Sequence, residues 1–562
     1  MEQRFSAAFK LERGRLYAEY LTEPTRHPQP TVPANSSQEK SFLVYIETQL
    51  PSALPQFLLQ QRWFGGKARQ IQSVEIPDIV PLITGNAYLI FARINYAEGP
   101  AETYAIPLLR SSSEGEASAL KIHPADLSEE IIFKDALTDQ QFLAHLLDAI
   151  ARGASWPGIK GHVRAIPTAA LESLWRPAQG PLTPSLMTAE QSNSSVVYDK
   201  RLVLKMFRRV EAGLNPDLEI GVFLMEKSSF RNVPPLAGYI EYLDEHGATS
   251  SLGMLQGYVA NQGDAWQFTL RALGEYYEAV SQSNAVGAGE VPRASLVALS
   301  GQPVPDEARR RIGAYLDSAA LLGRRTAELH LALASRADDP DFAPQPYSEG
   351  DHRAMAESAT QLLTANFDLL RRLQGGMPGQ RRQEADEILR LEEIARRRLQ
   401  MLARLKGSAM ATRIHGDYHL GQVLFTGSDF VIIDFEGEPA RPLAERRRKR
   451  SPLQDVAGML RSFHYAAYAP LLQEGNAEGS SHEAPRRWAL YWQKWVSATF
   501  LRTYLEVSGN AIFIPRGREE LALLLDVHLL DKAVYELGYE LNNRPSWVRI
   551  PLDGISQLLQ DR

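Results

Sequence analysis

The stretch Arg413-Ile-His-Gly-Asp-Tyr-His-Leu-Gly-Gln-Val-Leu-Phe425, followed by Val431-Ile-Ile-Asp-Phe-Glu436, decides how the rest of the chain is read. Phosphoryl transfer needs one carboxylate to take the acceptor hydroxyl's proton and separate oxygen ligands to hold Mg²⁺ on nucleotide phosphates. Asp417 is the candidate for the first role, and Gln422 and Asp434 for the second. Between them, Gln422-Val-Leu-Phe425 and Phe430-Val-Ile-Ile433 flank the Gly-containing turn Thr426–Asp429, which predicts a β-hairpin. Such a hairpin carries its metal ligands on neighbouring strands, where they converge on one ion. A lone His-x-Asp would be read as a turn cap; the complete set points to chemistry.

The spacing narrows that chemistry. Asp417 and Gln422 are five residues apart, as are the Asp and Asn of a kinase catalytic loop, and Asp434-Phe-Glu436 stands where a kinase has Asp-Phe-Gly. A kinase also needs an amine on the phosphates and a carboxylate to orient it. Arg201–Phe207 reads as a strand with Lys205 near its end. Asn215-Pro-Asp-Leu-Glu219 opens a helix, with Asn215 as N-cap and Pro216 at the first helical position. The expected orienting pair is Lys205 with Glu219. Alone, these residues also suit a snorkelling lysine and a helix-start glutamate; their position upstream of Asp417 and Asp434 selects the kinase reading.

Ahead of Lys205, two strands enclose Gln191-Ser-Asn-Ser194, where a nucleotide-binding loop belongs. Asn193, Ser194 and Ser195 suit phosphate contacts and ordinary turn chemistry alike. Gly253–Val259 runs into Asn261-Gln-Gly-Asp264 as a hinge for adenine, which makes Gln256 and Tyr258 nucleotide-site candidates.

Composition fits a soluble enzyme. The chain has 562 residues, 61 Lys plus Arg against 67 Asp plus Glu, and a net charge of −6, so no global basic field invites nucleic acid. Cysteine is absent, which excludes disulfides, thiolate metal sites and cysteine nucleophiles. No apolar run reaches membrane-spanning length and the N-terminus lacks a signal-peptide core, so no membrane association and a cytoplasmic location are expected. Residues 1–40, rich in proline and polar side chains near Thr25–Ser37, read as a flexible leader. Residues 41–157 form a mixed segment with strands at Ala87–Ala92 and Ala119–Ile122 and a helix at Asp139–Asp148. A strand-rich lobe (158–259) and a mainly helical lobe (260–562) follow, with helices expected at Asp351–Leu373 and Arg381–Leu405. The fold class is α+β and bilobal, like a protein kinase.

Several further stretches carry a specific resemblance: Gln61-Arg-Trp-Phe-Gly-Gly-Lys67, Lys205-Met-Phe-Arg-Arg209 with Asn215–Glu219, His415–Leu424, Asp434-Phe-Glu-Gly-Glu-Pro439, Ser451–Arg461 and Asn543-Arg-Pro-Ser-Trp-Val548. On these motifs the chain resembles the bacterial maltokinases, within the aminoglycoside-phosphotransferase branch of the kinase-like fold, over residues 41–551. The resemblance implies that residues 41–157 are an N-terminal cap. It implies ATP- and Mg²⁺-dependent phosphorylation of maltose on its anomeric hydroxyl, giving maltose 1-phosphate for α-glucan synthesis, and association with trehalose synthase. It further implies Asp417 as catalytic base, Gln422 and Asp434 as metal ligands with Glu436 nearby, and Asp455 as a brace for the catalytic loop.

The sugar is the least legible part. In Asp531–Leu541, Lys532, Tyr535, Glu536 and Tyr539 fall within one arc at about 100° per residue, as does Asn543. That face, with Trp547 nearby and His415 and Tyr418 beside Asp417, makes up the substrate-binding candidates; on periodicity alone an exposed helix with i,i+4 pairs explains it as well. Arg446-Arg-Arg-Lys-Arg450 suits a solvated basic loop or a phosphate contact equally. His330 and the Arg62–Lys67 turn are assigned no chemistry. Two other readings remain: a kinase for another small sugar or amino sugar, such as glucosamine or an aminoglycoside, and a catalytically silent partner of trehalose synthase.

Overall fold

The computed structural model describes residues 37–111, 119–122, 130–187, 193–282, 290–377, 379–405, 409–439, 441–473 and 483–560. Most of the leader, Gln191 and Ser192 lie outside the described residues. The chain divides into two compact units. The first holds residues up to Pro167 with Arg208–Val210 and Ile240–Ala248; the second holds Thr168–Phe207, Glu211–Tyr239 and Thr249–Arg562.

The first unit opens with helix α1 (Ser37–Gln60), which sequence reading passed over because Pro51 and Pro55 interrupt it. Its Leu43, Ile46, Leu50, Leu54, Phe57 and Leu58 recur at three- and four-residue steps and are all buried. They cover an antiparallel sheet in the order β1 (Ile71–Ile83), β2 (Ala87–Tyr96), β3 (Glu102–Ser111), β5 (Ile131–Asp135), β4 (Leu120–Ile122). Helix α2 (Gln140–Ala151) begins at Asp139, whose carboxylate accepts from Phe142 N, and the hairpin β6 (Ser155–Pro157) and β7 (His162–Pro167) follows. Trp63 of the Arg62–Lys67 turn is a packing residue. Its Nε1 and Arg208 Nη2 both donate to buried Asp135, at 3.2 and 2.6 Å, and the Arg208 guanidinium lies 4.5 Å over the Trp63 ring. Arg209 and Val210 pair with Tyr104 and Thr103 of β3, so this short stretch belongs to the first unit although it lies far along the chain.

In the second unit, β8 (Pro184–Leu186), β9 (Asn193–Tyr198) and β10 (Leu202–Phe207) form antiparallel neighbours; β11 (Leu236–Leu243) has only Leu236–Tyr239 in this unit, and β10 also pairs with β12 (Thr249–Gly257). Lys205 of β10 stands opposite Ser195 and Met254. Helix α3 (Pro216–Lys227) starts as expected, with Asn215 Oδ1 accepting from Asp217 N at 2.8 Å and Pro216 in its first turn. Helices α4 (Ala265–Gln282) and α5 (Tyr315–Leu333) lead to α6 (Glu349–Leu373). The segment expected as one helix over 381–405 is two, α7 (Gly379–Arg390) and α8 (Glu392–Leu402), with the break at Leu391. The hairpin β13 (Val423–Phe425) and β14 (Phe430–Ile432) is present in the expected register.

Helices α9 (Leu453–Gln473), α10 (Glu483–Ser508), α11 (Arg518–Asn543) and α12 (Arg549–Gln560) close a core that includes Phe463, Trp492, Phe500 and Tyr504. Gly458 lets α9 approach the catalytic loop, since a Cβ there would stand 2.5 Å from the Tyr418 carbonyl oxygen. Among the described residues, no helix is long and apolar enough to cross a membrane.

Candidate active site

Two loops meet in the second unit. Gly416 (φ 87°) and Gly437 (φ 69°) are both left-handed, and a Cβ on Gly416 would lie 3.2 Å from Gly437 Cα, so the Asp417 loop and the Asp434–Pro439 loop pass back to back. Asp434 is itself left-handed (φ 66°), a conformation that costs a non-glycine residue about 1–3 kcal/mol. It turns the carboxylate toward Lys205. Lys205 Nζ lies 2.5 Å from Asp434, 2.6 Å from Glu436 and 3.0 Å from Asp217. Burial alone would depress the pKa of Lys205, yet the Asp217, Asp434 and Glu436 carboxylates hold it well above the usual value. Asp434 answers in kind: burial would raise its pKa, but Lys205 keeps it below the ordinary range.

This cluster corrects the expected Lys205–Glu219 pair. Asp217, two residues earlier on α3, takes the lysine, and its other oxygen accepts from Phe435 N at 3.0 Å. Glu219 is buried on the adjacent face of the helix and pairs with Arg413 at 2.8 Å and Arg447 at 2.5 Å. Spacing alone did not separate the two acids, because both lie in the first turn of α3. The basic run divides likewise: Arg446 donates to the Glu436 carbonyl at 3.1 Å and to Glu211 at 3.0 Å, so the loop is tied into the site.

The oxygens of Asp217, Asp434 and Glu436 that face one another lie within 4.8 Å, an oxygen-only donor set suited to a hard cation, with the Lys205 ammonium among them. Gln422 Nε2 donates to Asp434 Oδ2 at 3.0 Å, which puts both expected ligands in one place. Asn193 Nδ2 donates to Glu436 Oε1 at 2.6 Å. Ser194 and Ser195 are buried within β9, with Ser195 opposite Lys205 in the sheet. Gln256 and Tyr258 are half-buried at the end of β12, with Tyr258 N donating to Arg201 O at 2.8 Å.

Asp417 is partly exposed. Its Oδ1 lies 3.7 Å from Lys532 Nζ and its Oδ2 lies 3.9 Å from His419 Nε2. Burial, with Lys532 and His415 alongside, keeps the pKa of His419 below its ordinary value despite Asp417. Behind the loop, Asp455 braces the backbone by accepting from His415 N at 2.7 Å and Gly416 N at 2.9 Å. His330, passed over in the sequence, completes that brace: its Nε2 meets Asp455 at 3.1 Å and its Nδ1 meets Tyr504 at 3.0 Å. Hydrogen bonding to His330 and to these amides keeps the buried Asp455 carboxyl below the usual carboxylate range, against the effect of burial.

The substrate candidates divide. His415 is buried between Tyr418 and Phe435, with Nε2 bonded to Ile433 O at 2.9 Å, and Tyr418 is buried with its hydroxyl 3.0 Å from Thr326. Both shape the loop and turn no polar group to a substrate. Glu536 is also turned inward, since Arg461 donates to it at 2.9 and 2.6 Å; its place on the arc is displaced by that buried pair. Lys532, Tyr535 and Tyr539 remain on one face. Lys532 Nζ lies 5.0 Å over the Tyr535 ring, Tyr535 bonds Glu438, and Tyr539 is exposed under Arg544. Arg544 also covers Trp547, which is half-buried and stacks on Tyr465.

Comparison with known proteins finds similarity in sequence and in fold. Residues 296–491 match the phosphotransferase enzyme family, and residues 57–139 match the maltokinase N-terminal cap domain. The fold is therefore of the kinase-like α+β class, with a phosphotransferase match over part of the helical region and a maltokinase-cap match over part of the first unit. Among curated proteins, the chain is 23% identical over 467 residues to a glucosamine kinase of Streptacidiphilus jiangxiensis, covering 82% of this chain and 87% of that protein. It is also 23% identical over 380 residues to a glucosamine kinase of Mycolicibacterium smegmatis, covering 67% and 79%. A solved glucosamine kinase in complex with glucosamine, ADP and inorganic phosphate superposes with a TM-score of 0.57 at 17% identity, covering 90% of this chain and 98% of that one, and a second crystal form gives 0.60.

Proposed function

We propose that this chain transfers the γ-phosphoryl group of ATP to the anomeric hydroxyl of maltose. Asp417 accepts the hydroxyl proton as the sugar oxygen bonds to phosphorus, and the bond from phosphorus to the β-phosphate oxygen breaks with its electron pair leaving on ADP. Lys205, oriented by Asp217, meets the nucleotide phosphates, and Asn193 closes over them. Mg²⁺ held by Asp434, Glu436 and Gln422 would supply charge neutralisation on the phosphates.

The observation that carries the disaccharide is the face of α11 beside Asp417. From Lys532 to Tyr539 it extends about 10 Å along the helix axis and ends on an exposed aromatic ring. Aromatic faces suit the C–H surface of a pyranose, and a row of this length reaches past one ring. The maltokinase-type cap supports the same reading. Amino-sugar phosphorylation is the second reading. The curated relatives are glucosamine kinases, and Glu438 beside Tyr535 offers a carboxylate to an amine.

A ³¹P assay of maltose, glucose and glucosamine with ATP separates them. Maltose should be the preferred acceptor. Tyr539→Ala should raise its KM roughly 10-fold, about 1.4 kcal/mol, with the KM for ATP unchanged. Glucosamine preferred over maltose would overturn the disaccharide.

A further inference from the structure

The Asp417 oxygen that does not face Lys532 is flanked by His419, a residue given no part in the reaction so far. Gly421 N donates to His419 Nδ1 at 3.1 Å, so Nδ1 is the acceptor and the neutral ring carries its proton on Nε2. That Nε2 faces Asp417 Oδ2 at 3.9 Å, beyond hydrogen-bonding reach, and the imidazole is part exposed. A donor thus points into the space beside the base without being satisfied by it. At the other carboxylate oxygen, Lys532 Nζ stands off Asp417 Oδ1 at 3.7 Å in the same manner. The carboxylate that takes the acceptor's proton under the proposed mechanism is thus flanked by two donors, one near each of its oxygens.

From this geometry we infer that His419 is a catalytic residue: its Nε2–H donates a hydrogen bond to an equatorial oxygen of the phosphoryl group during transfer. The ring keeps its proton throughout. The acceptor's proton goes to Asp417, the phosphorus–oxygen bond to the sugar forms, and the bond to ADP breaks. Donors aimed at oxygens that gain charge in the transition state lower the barrier without tightening the ground state. The inference rests on the phosphoryl-transfer reading and is independent of which sugar is the acceptor.

The two ring nitrogens can be tested separately. In His419→Asn, the side-chain oxygen takes the place of Nδ1 and still caps Gly421 N, but the outer donor is lost. In His419→Gln, the amide NH₂ reaches the place of Nε2 while the cap is weakened. The asparagine variant should lose kcat on the order of 10²-fold, with KM for ATP and for the sugar little changed, and the glutamine variant should keep most of the activity. Calorimetry supplies a second readout. ADP with aluminium fluoride and sugar should bind the asparagine variant on the order of 10²-fold more weakly than wild type, while ADP alone binds equally. A glutamine variant as impaired as the asparagine one, or unchanged aluminium fluoride affinity in the latter, would overturn the assignment by showing that the cap alone matters. Wild-type protein that phosphorylates no sugar would instead overturn the proposed function.

Discussion

Exchanging Asp217 for Asn isolates the orientation of Lys205. The substitution keeps an oxygen for Phe435 N but presents an NH₂ to the ammonium in place of a carboxylate oxygen 3.0 Å away. Asp434 and Glu436 also hold Lys205, and under the proposed mechanism both would turn to the metal when MgATP binds. Asp217 is then the remaining anion on the lysine. A hydrogen bond to a charged group contributes about 1.5–3 kcal/mol, which corresponds to roughly 10- to 150-fold in kcat/KM for ATP. Glu219→Ala is the matched control. It should leave that kinetic constant nearly intact while costing about 3 kcal/mol of stability in a urea titration, because buried Arg413 loses its partner. Steady-state kinetics with varied ATP and unfolding curves on both variants decide the matter. If Glu219→Ala abolishes ATP turnover in a folded protein while Asp217→Asn behaves as wild type, the assignment of the lysine's partner is refuted.

Three further outcomes are expected. Asp417→Asn should lower kcat by a factor on the order of 10²–10⁴ with ATP binding retained, measured by turnover and calorimetry. Asp434→Ala should weaken MgATP binding and flatten its Mg²⁺ dependence in calorimetry, since it removes a charge from the proposed metal site. Burial pushes the pKa of His528 down to about 4, so only the unfolded chain takes up a proton as pH falls below the ordinary histidine value. Its contribution to stability is therefore complete above about pH 6.5 and falls by about 1.4 kcal/mol per pH unit toward pH 4. His528→Leu should flatten that part of the acid limb in urea titrations at pH 7, 6 and 5.

The site's backbone was legible because it is local. Asp417, Gln422 and Asp434 are fixed by a loop and a two-strand hairpin, and hairpin register depends on sequence neighbours. Asn215 and Pro216 announced α3 for the same reason. What escaped was set by tertiary contact. Asp217 and Glu219 are indistinguishable by charge and spacing, and only the positions of Arg413, Arg447 and Lys205 decide which acid serves which cation. Glu536 suited a sugar-facing arc until Arg461, 75 positions earlier in the chain, drew it inward. His330 was unreadable as a brace because its partner, Asp455, lies 125 positions away. α1 was missed because its prolines argue locally against the helix that burial of six apolar side chains maintains.

The grip of Trp63 and Asp135 on Arg208 has a consequence for how such a chain can be rearranged. The first unit includes three residues that follow directly after the strand of Lys205, so it has no single cut point. A fragment ending at Pro167 would keep Asp135 and Trp63 but lose the guanidinium that both contact, leaving an anion in an apolar interior. Grafting this unit onto another kinase would require the recipient to donate an arginine and an edge strand in the same register. Recombination at that boundary is thus penalised in both products, which ties the inheritance of the first unit to that of the strand carrying Lys205.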